Sequence, residues 1–531
     1  MSAAILSSVS ESNQACPATA LRRHLARVVV TLRTPLHLGT GEPGRNVDAT
    51  IVRDANGLPA IPGSSLAGVI RHWYQRQLQG SSNGASAQET IDHLFGFQEK
   101  NRGQGSRVTL SWAHLHDASD RPVDQLRHPD QLAQLAGGTD TDLVLANALD
   151  QAQRDHVRID HTGATKATSR GKFDEEYLCT GHRFTFEIEL LEDGETSHWE
   201  PLLKSLVTAA ENGRFRAGGK TRRGYGNLAI TRITTRTFNL ATSLHELEAY
   251  ADTPASLEVE PIGWKPFSLA PEASASADLT LRLRLTPTTE WMFGGGLDPT
   301  EEEEADLTPV RTTRICNEST DPSQPLRRVD DAWLISGASI KGALAHRVAF
   351  HANRLAEDFA DTISAQYDHS TEGRHQAQKA LEKLVGAENP AVLELFGQAN
   401  EDHQDTGRSG RVFIDDALLL GEQKQPLIRH VSIDRFTGGA RSGALYSERP
   451  LSRDLPIEMT VILDDPASID PKALKALQQA LLDLCEERLP LGGGSNRGLG
   501  FMQADSKSLT EVRQMCDAVR AAAKSESPAV S

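Results

Sequence analysis

The order of apolar and polar residues predicts a strand, a loop and a helix near the start of the chain. Residues 28–38 are rich in β-branched and apolar side chains, which favours a β-strand. A glycine-containing loop follows, and residues 47–52 are again extended and carry one carboxylate, Asp48. Apolar side chains within residues 66–73 then recur at i, i+3, i+4 and i+7, the spacing of one helical face.

The start of this helix is a candidate phosphate site. Ser64 and Ser65 precede the apolar run, and either serine is a plausible N-cap. A capped helix start just past a glycine offers free backbone N–H groups to an anion. Residues 39–44 also satisfy G-x-G-x-x-G, but Pro43 and an extended segment follow where a dinucleotide-binding fold needs a helix. We therefore interpret residues 39–44 as a flexible loop.

The same pattern occurs twice. Residues 63–68, 158–160 and 217–226 recur as residues 337–342, 432–434 and 491–500, each time shifted by 274 positions. A Leu-Phe-Gly motif recurs at a larger offset, so the second copy has extra residues behind its first helix. We expect tails at 1–24 and 512–531, domains at 25–238 and 277–511, and a linker at 239–276.

Within each copy the expected order is strand, helix, two strands, helix, strand. This βαββαβ order with inserted loops is the ferredoxin-like pattern that RNA-recognition domains share. The expected fold class is therefore α+β, with two tandem ferredoxin-like domains.

Composition limits how such a protein contacts nucleic acid. A net charge of -16 over 531 residues argues against a general basic surface, so contacts must come from local basic groups. Five cysteines lie far apart without a C-x-x-C pair, which favours a reducing setting without a zinc site or disulfides. The sequence has neither a signal peptide pattern nor an apolar run of membrane-spanning length, so we expect a cytoplasmic protein with no membrane partner.

Residues 214–223 form the densest basic run, with five cations and no acid. Glycines let backbone N–H groups approach phosphates while arginine and lysine supply charge, so we interpret the run as a nucleic-acid contact. The alternative is a solvated glycine-rich turn. Residues 219–221 also resemble the end of a P-loop, but Arg214 stands where a glycine is required and a strand follows, which argues against ATP binding.

Three further features have competing interpretations. Segments starting at His156 and His430 lead into long basic loops that either insert into a nucleic-acid duplex or form ordinary exposed hairpins. His114 and His116 have a metal-like spacing, but apolar residues occupy the matching positions of the second copy, so we interpret them as ordinary strand residues. Asp48 is either a solvated turn residue or a carboxylate that holds hydrated Mg²⁺ against a phosphate.

Ordered motifs in both copies resemble one family. The first copy contains TPLHLGTG, VDATIVRDANGLPAIPGSSLAGVIR, LFG, RIDHTGAT with KFDEEYLCTG, and GGKTRRGYG. The second contains SGASIKGALAHR, LFG, HVSIDRFTGGA and GGGSNRGLG. The first copy resembles the RAMP-superfamily backbone subunit of type III CRISPR effector complexes, and the second a more divergent member. The whole chain is similar to tandem fused subunits of type III-D-like systems.

This resemblance implies two ferredoxin-like RAMP domains with thumb hairpins that kink a guide–target duplex. Its implied partners are guide RNA, target RNA and other effector subunits, and its implied activity is cleavage of target RNA with Mg²⁺ or Mn²⁺. Asp48 is the implied catalytic and metal-binding residue of the first domain, and Asp306, or alternatively Asp298, that of the second. Acids at residues 301–304 would repel phosphate beside Asp306, which argues against cleavage by the second domain.

The family often has a lysine after the Ser-Leu pair of the first helix; here that lysine is Lys341, whereas the first copy has Ala67. The residues expected to bind RNA are Arg53, Ser64, Ser65, Arg71, Gly218, Gly219, Lys220, Arg222, Arg223, Lys341, Arg347, Gly493 and Arg497. Two alternatives to a target-cleaving subunit are an RNA-binding scaffold with inert aspartates and a guide-processing nuclease. The second is disfavoured because no histidine pair recurs in both copies.

Overall fold

The computed structural model describes residues 21–526, except 46, 82–83, 138–141, 151, 158, 160–170, 194–196, 242, 271–277, 297–304, 317–325, 369, 399–406, 422 and 454.

The first half of the chain contains helices α1 (Gly63–Ser81), α2 (Gly84–Phe95), α3 (Pro129–Gly137), α4 (Leu143–Leu149), α5 (Trp199–Glu211) and α6 (Leu244–Ala251). Its strands are β1 (Arg22–Leu32), β2 (Phe97–Glu99), β3 (Arg102–Gln104), β4 (Val108–Leu110), β5 (His114–Leu115), β6 (Gln153–Val157), β7 (Lys172–Glu176), β8 (Arg183–Glu192), β9 (Leu228–Asn239) and β10 (Lys265–Pro266).

The second half contains helices α7 (Gly337–Ala356), α8 (Ala360–Ser364), α9 (Thr371–Val385), α10 (Pro390–Phe396), α11 (Pro471–Cys485) and α12 (Ser506–Glu526). Its strands are β11 (Leu279–Pro287), β12 (Gly294–Gly296), β13 (Thr308–Pro309), β14 (Arg311–Cys316), β15 (Arg327–Ile335), β16 (Gly397–Gln398), β17 (Arg408–Ser409), β18 (Val412–Ile414), β19 (Ala417–Leu419), β20 (Ile428–Ile433), β21 (Ala440–Glu448), β22 (Ile457–Leu463) and β23 (Met502–Ala504).

The two halves have the same sheet topology. The first sheet runs β10-β9-β1-β8-β4 and the second β23-β11-β22-β18, and all these pairings are antiparallel. When the four repeated strands are numbered 1 to 4 along the chain, as β1, β4, β8 and β9 or as β11, β18, β22 and β23, both sheets have the order 4-1-3-2. Two helices pack on one face of each sheet, with apolar positions of α1 and α5, or of α7 and α11, in a continuous core. The predicted α+β class with tandem βαββαβ domains is confirmed.

The segment after the first domain lies across that domain's sheet. The Arg27 guanidinium donates to the carbonyl oxygens of Pro254 (2.7 Å) and Val259 and lies over the Trp264 ring. Strand β10 then adds to the sheet beside β9. Many RNA-recognition domains stack bases on the open face of this sheet. In the first domain, part of that face is therefore occupied by the chain itself.

Two boundaries differ from expectation. Helix α1 begins at Gly63, since the N–H groups of Ser65 and Leu66 both donate to the Pro62 carbonyl oxygen, so Ser64 and Ser65 lie in the first turn rather than at the N-cap. Residues beyond 511 were expected to form a partly helical tail, but α12 belongs to the second domain, because its side chains Val512, Met515, Cys516 and Val519 are buried in the second core.

No helix in the described part of the chain is long and apolar enough to cross a membrane.

Candidate nucleic-acid interface

Asp48 is exposed and tied to the base of the hairpin formed by β6 and β7. Its backbone N–H donates to Asp174 Oδ1 (2.7 Å), and the N–H of Asp174 donates to Asp48 Oδ2 (3.1 Å). The next residue, Ala49, forms a parallel bridge with Glu175. The loop after β1 is thus fixed to strand β7 of this hairpin, and the Asp48 carboxylate is exposed to solvent.

Asp306 occupies the same place in the second domain. Asp306 Oδ2 accepts the N–H (2.6 Å) and the hydroxyl (3.1 Å) of Ser447, and Leu307 bridges Glu448 in parallel. These two hydrogen bonds hold the pKa of Asp306 below its ordinary value. Asp306 is therefore the geometric counterpart of Asp48. The alternative carboxylate, Asp298, and residues 301–304 lie outside the described residues.

Behind Asp48 lies a buried glutamate that the sequence motifs did not indicate. Glu175 is fully buried; its Oε1 lies 2.7 Å from His156 Nε2, and its Oε2 forms an ion pair with Lys220. The His156 ring stacks on Phe173, with 4.9 Å between centroids. Burial, followed by the charges of Lys220 and Arg154, lowers the pKa of His156 to about 4, so its imidazole is neutral at pH 7.

The second domain repeats this cluster. Glu448 is 1% exposed and accepts from Arg497 (2.6 Å), and its other oxygen lies 2.8 Å from His430, which stacks on Tyr446. Lys220 and Arg497, both expected to bind RNA, therefore each connect a glycine loop to the base of a hairpin. The signal was present in the sequence, because His156 and His430 recur at the repeat offset, but their glutamate partners lie on the opposite strands.

The N–H groups of the glycine loops are used within the fold. Gly219 donates to the His37 carbonyl oxygen (2.8 Å) and Gly493 to that of Met292 (2.7 Å). At Gly218, φ is +81° and a Cβ atom would lie 2.4 Å from the His37 oxygen, so the loop requires glycine for close packing. The expectation that the N–H groups of Gly219 and Gly493 face phosphate is corrected, because each loop folds back on the segment that follows the first strand of its domain.

The basic run at 214–223 is divided between two environments. Arg214 and Arg216 are each only 5% exposed and form ion pairs with Asp464 (2.9 Å) and Asp415 (2.7 Å) of the second domain. Although burial opposes it, Arg214 and Arg76 lower the pKa of Asp464 to about 2. The interpretation of the run as a nucleic-acid contact is therefore wrong for Arg214 and Arg216, which join the two domains.

A buried ion pair continues this interface. Arg154 on β6 lies 2.6 Å from Asp416, whose other oxygen accepts the Gly337 N–H at the start of α7 (2.8 Å). Gly224, with φ of +92°, approaches so closely that a Cβ would lie 2.4 Å from Asp416 Oδ1. The start of α7, which matches the candidate phosphate site of the first copy, is thus capped by a carboxylate of the chain itself.

Cations from both domains meet beside this interface. Lys341 donates to the Phe396 carbonyl oxygen (2.9 Å), and burial together with the charges of Arg223 and Arg222 lowers its pKa to about 7. Arg222 donates to the Gly410 carbonyl oxygen (2.6 Å), and Arg223 is exposed. We call Arg222, Arg223 and Lys341 the interdomain cation cluster. Their mutual repulsion makes this cluster a favourable place for an anion.

The other cations expected to bind RNA have partners within their own domains. Arg53 pairs with buried Glu176, and Arg71 with Asp92 at 3.0 Å. Arg347 Nε lies 2.5 Å from Asp483, which also accepts from Arg488. Ser64 is exposed and Ser65 half-buried on the first turn of α1. These arginines therefore form ion pairs that stabilise helices and loops within their own domains.

The candidate aspartates fit only one manner of metal binding. Across the described residues, no group of three or more His, Cys, Asp or Glu side chains is arranged to hold a metal ion. Mg²⁺ is commonly bound by one or two carboxylates plus substrate phosphates and water. Asp48 and Asp306 are suited to that role because each is an exposed carboxylate with backbone support. Any ion there would take its remaining oxygen ligands from water or from a bound phosphate.

Comparison with protein families identifies the class that this fold defines. The RAMP superfamily model matches residues 29–229 and 284–503, one region in each ferredoxin-like domain. These regions cover most of the chain, so the protein belongs to the RAMP superfamily and contains two tandem RAMP domains. No curated protein matches the chain.

Proposed function

We propose that this RAMP protein is a backbone subunit of a type III CRISPR effector, of the tandem fused type III-D-like form. It binds guide RNA, pairs with other effector subunits, and cleaves complementary target RNA with Mg²⁺ or Mn²⁺. The observation that carries the proposal is the equivalence of Asp48 and Asp306. Each is exposed and hydrogen-bonded to the second strand of a hairpin in its own domain, β7 for Asp48 and β21 for Asp306. A matched pair of carboxylates fits one cut by each domain, although the acids at residues 301–304 weigh against the second cut, which Asp306→Ala tests separately.

The interdomain cation cluster is the proposed guide-RNA contact. In a chain of net charge -16, Arg222, Arg223 and Lys341 bring positive charge from both domains to one place. Phosphate contacts of this kind position RNA without reading its bases, so the sequence of the target is chosen by pairing with the guide.

The hairpins are the proposed thumbs. On the hairpin of β20 and β21, Phe436 is 97% exposed at the tip, and Ile433 and Leu445 are 64% and 70% exposed. Apolar side chains inserted between bases unstack and kink a duplex. The tip of the first-domain hairpin, residues 160–170, lies outside the described residues, although Val157 and Ile159 at its edge are exposed.

In the proposed cut, each aspartate acts where the target strand is bent by a thumb. When bound, a divalent ion would supply charge stabilisation at the phosphate. Asp48 and Asp306 would hold that ion or orient the adjacent 2′-hydroxyl for attack. Because Asp48 is attached to β7 and Asp306 to β21, each carboxylate lies at a fixed position beside the hairpin proposed as the thumb of its domain.

A non-catalytic RNA-binding scaffold is the second candidate. It is favoured because no group of three or more His, Cys, Asp or Glu side chains in the described residues is arranged to hold a metal ion. Cleavage of labelled complementary RNA by the guide-loaded complex separates the two. We expect product bands with Mg²⁺ or Mn²⁺ and intact RNA with EDTA, while binding survives in both. Binding without cleavage under all metal conditions would establish the scaffold instead.

Lys341 is expected to make RNA affinity depend on pH. Its amine is charged in the free protein below pH 7, its pKa being about 7. Above that pH the Lys341 amine is neutral in the free protein and must take up a proton when an RNA phosphate binds to it. The affinity for RNA therefore falls with rising pH by at most about tenfold per pH unit. Filter binding of guide RNA from pH 6.5 to 9 measures this slope.

Matched variants isolate the lysine. Lys341→Arg keeps a charge at every pH and should flatten the slope, whereas Lys341→Ala should weaken binding throughout. Lys507, which is 85% exposed on α12, supplies the control variant Lys507→Ala. Equal affinities for Lys341→Ala and Lys507→Ala would remove Lys341 from the RNA contact.

A further inference from the structure

We infer that Asp174 is a positioning residue for Asp48, and that Ser447 has this role for Asp306. The inference rests on the proposed cleavage function and adds the residues that prepare each site. It makes the two cut sites chemically different, with a carboxylate supporting the first aspartate and a hydroxyl supporting the second.

The first-domain contact is reciprocal. Asp174 Oδ1 accepts the Asp48 N–H at 2.7 Å, and Asp48 Oδ2 accepts the Asp174 N–H at 3.1 Å. Each bond fixes the backbone of one residue to the side chain of the other. The Asp48 side chain is exposed, so a backbone anchor is needed to limit its orientations before RNA arrives.

The second domain replaces the carboxylate by a hydroxyl and keeps the connection. The Ser447 N–H and hydroxyl both donate to Asp306 Oδ2, at 2.6 and 3.1 Å, and the Asp306 N–H donates to Ser447 Oγ at 3.3 Å. A serine thus accepts one bond and donates another, where Asp174 only accepts with its side chain. Two different side chains perform the same task at matching positions, which argues that the task is positioning.

Asp174 and Ser447 belong to the hairpins proposed as thumbs, so each thumb is connected to the aspartate proposed to cut the target. Asp174 lies on β7 and Ser447 on β21, each directly before the buried glutamate of its domain. A thumb that moves on meeting the duplex therefore moves the anchor of the aspartate as well. Correct pairing between guide and target can in this way set the position of the cutting residue.

The test compares Asp174→Ala, Asp174→Ser and Asp155→Ala in the guide-loaded complex. Asp155 faces Asp174 across the hairpin and pairs with Lys172 rather than with Asp48, so its variant removes an equal charge nearby. We expect Asp174→Ala to slow the first-domain cut by about 10- to 100-fold, the cost of misplacing a reacting group. Asp174→Ser should recover most of the rate, and Asp155→Ala should keep it.

A second readout does not require cleavage. Hydrogen–deuterium exchange of residues 47–52 in the RNA-free, metal-free chain should be faster in Asp174→Ala than in wild type, and close to wild type in Asp174→Ser. Guide-RNA affinity and the second-domain cut should be unchanged in both variants. These controls distinguish positioning from a general loss of structure.

Three results would overturn the inference, and they can be told apart. If Asp48→Ala removes a band and Asp174→Ala does not slow that cut, the proposed function stands and Asp174 is irrelevant. If Asp174→Ser is as slow as Asp174→Ala, the carboxylate acts directly rather than by positioning. If Asp48→Ala itself leaves every band, the proposed first-domain activity fails and the inference with it.

Discussion

Replacing Arg154 with alanine is expected to lower the free energy of unfolding by about 3–5 kcal/mol, the usual cost of breaking a buried ion pair on one side. The Arg154 and Asp416 side chains are 9% and 2% exposed. Burial already raises the pKa of Asp416, and without Arg154 its charge would be buried without an ion-pair partner. The guanidinium also lies 4.8 Å from the centre of the Tyr177 ring, and alanine removes this cation–π interaction as well.

The denaturation midpoint of the full chain in urea measures this effect, with Arg232→Ala as control. Arg232 pairs with Glu260, but the two side chains are 56% and 70% exposed, so the control should change stability by less than about 1 kcal/mol. Combining Arg154→Met with Asp416→Asn removes both charges while keeping an acceptor for the Gly337 N–H. The double variant should be more stable than Arg154→Ala. Equal midpoints for Arg154→Ala and Arg232→Ala would show that this pair does not hold the domains together.

Alanine at Asp48 is expected to abolish one cut in the target RNA, and alanine at Asp306 a different cut. Residues that only orient a metal ligand typically cost about 10- to 100-fold when removed, so loss of the ligand itself should exceed that range. Both side chains are exposed, and neither belongs to either buried core. Stability and guide binding should therefore be kept, which assigns the loss to the chemistry.

The duplicated fold was predictable from the sequence because its signals are local. Apolar spacing identified α1, and three segments at one offset identified the repeat, so one βαββαβ prediction described both domains. Their sheets share the strand order 4-1-3-2. The family resemblance, rather than the repeat offset, indicated Asp306 or Asp298 as the counterpart of Asp48, and the geometry matches Asp306. The domain limits were less accessible, because packing of Val512 and Met515 from α12 depends on a core formed by distant strands.

The ion-pair partners of the arginines could not be predicted from the composition of the chain. Arg214 and Arg216 look like any exposed basic run until the second domain supplies Asp464 and Asp415 from far along the chain. Likewise, the pairing of Lys220 with Glu175 requires the glycine loop to meet the hairpin base. A cation is equally suited to a phosphate and to a buried carboxylate, so only the packing of the domains distinguishes these partners.

The proposal predicts that Mg²⁺-dependent cleavage of end-labelled target RNA by the guide-loaded complex will be divided between the two domains. Wild type, Asp48→Ala, Asp306→Ala and the double variant are compared at equal RNA binding. Each single variant should lose a different band, and the double variant should lose both. An unchanged set of bands in the double variant would contradict the assignment of Asp48 and Asp306 as the cutting residues.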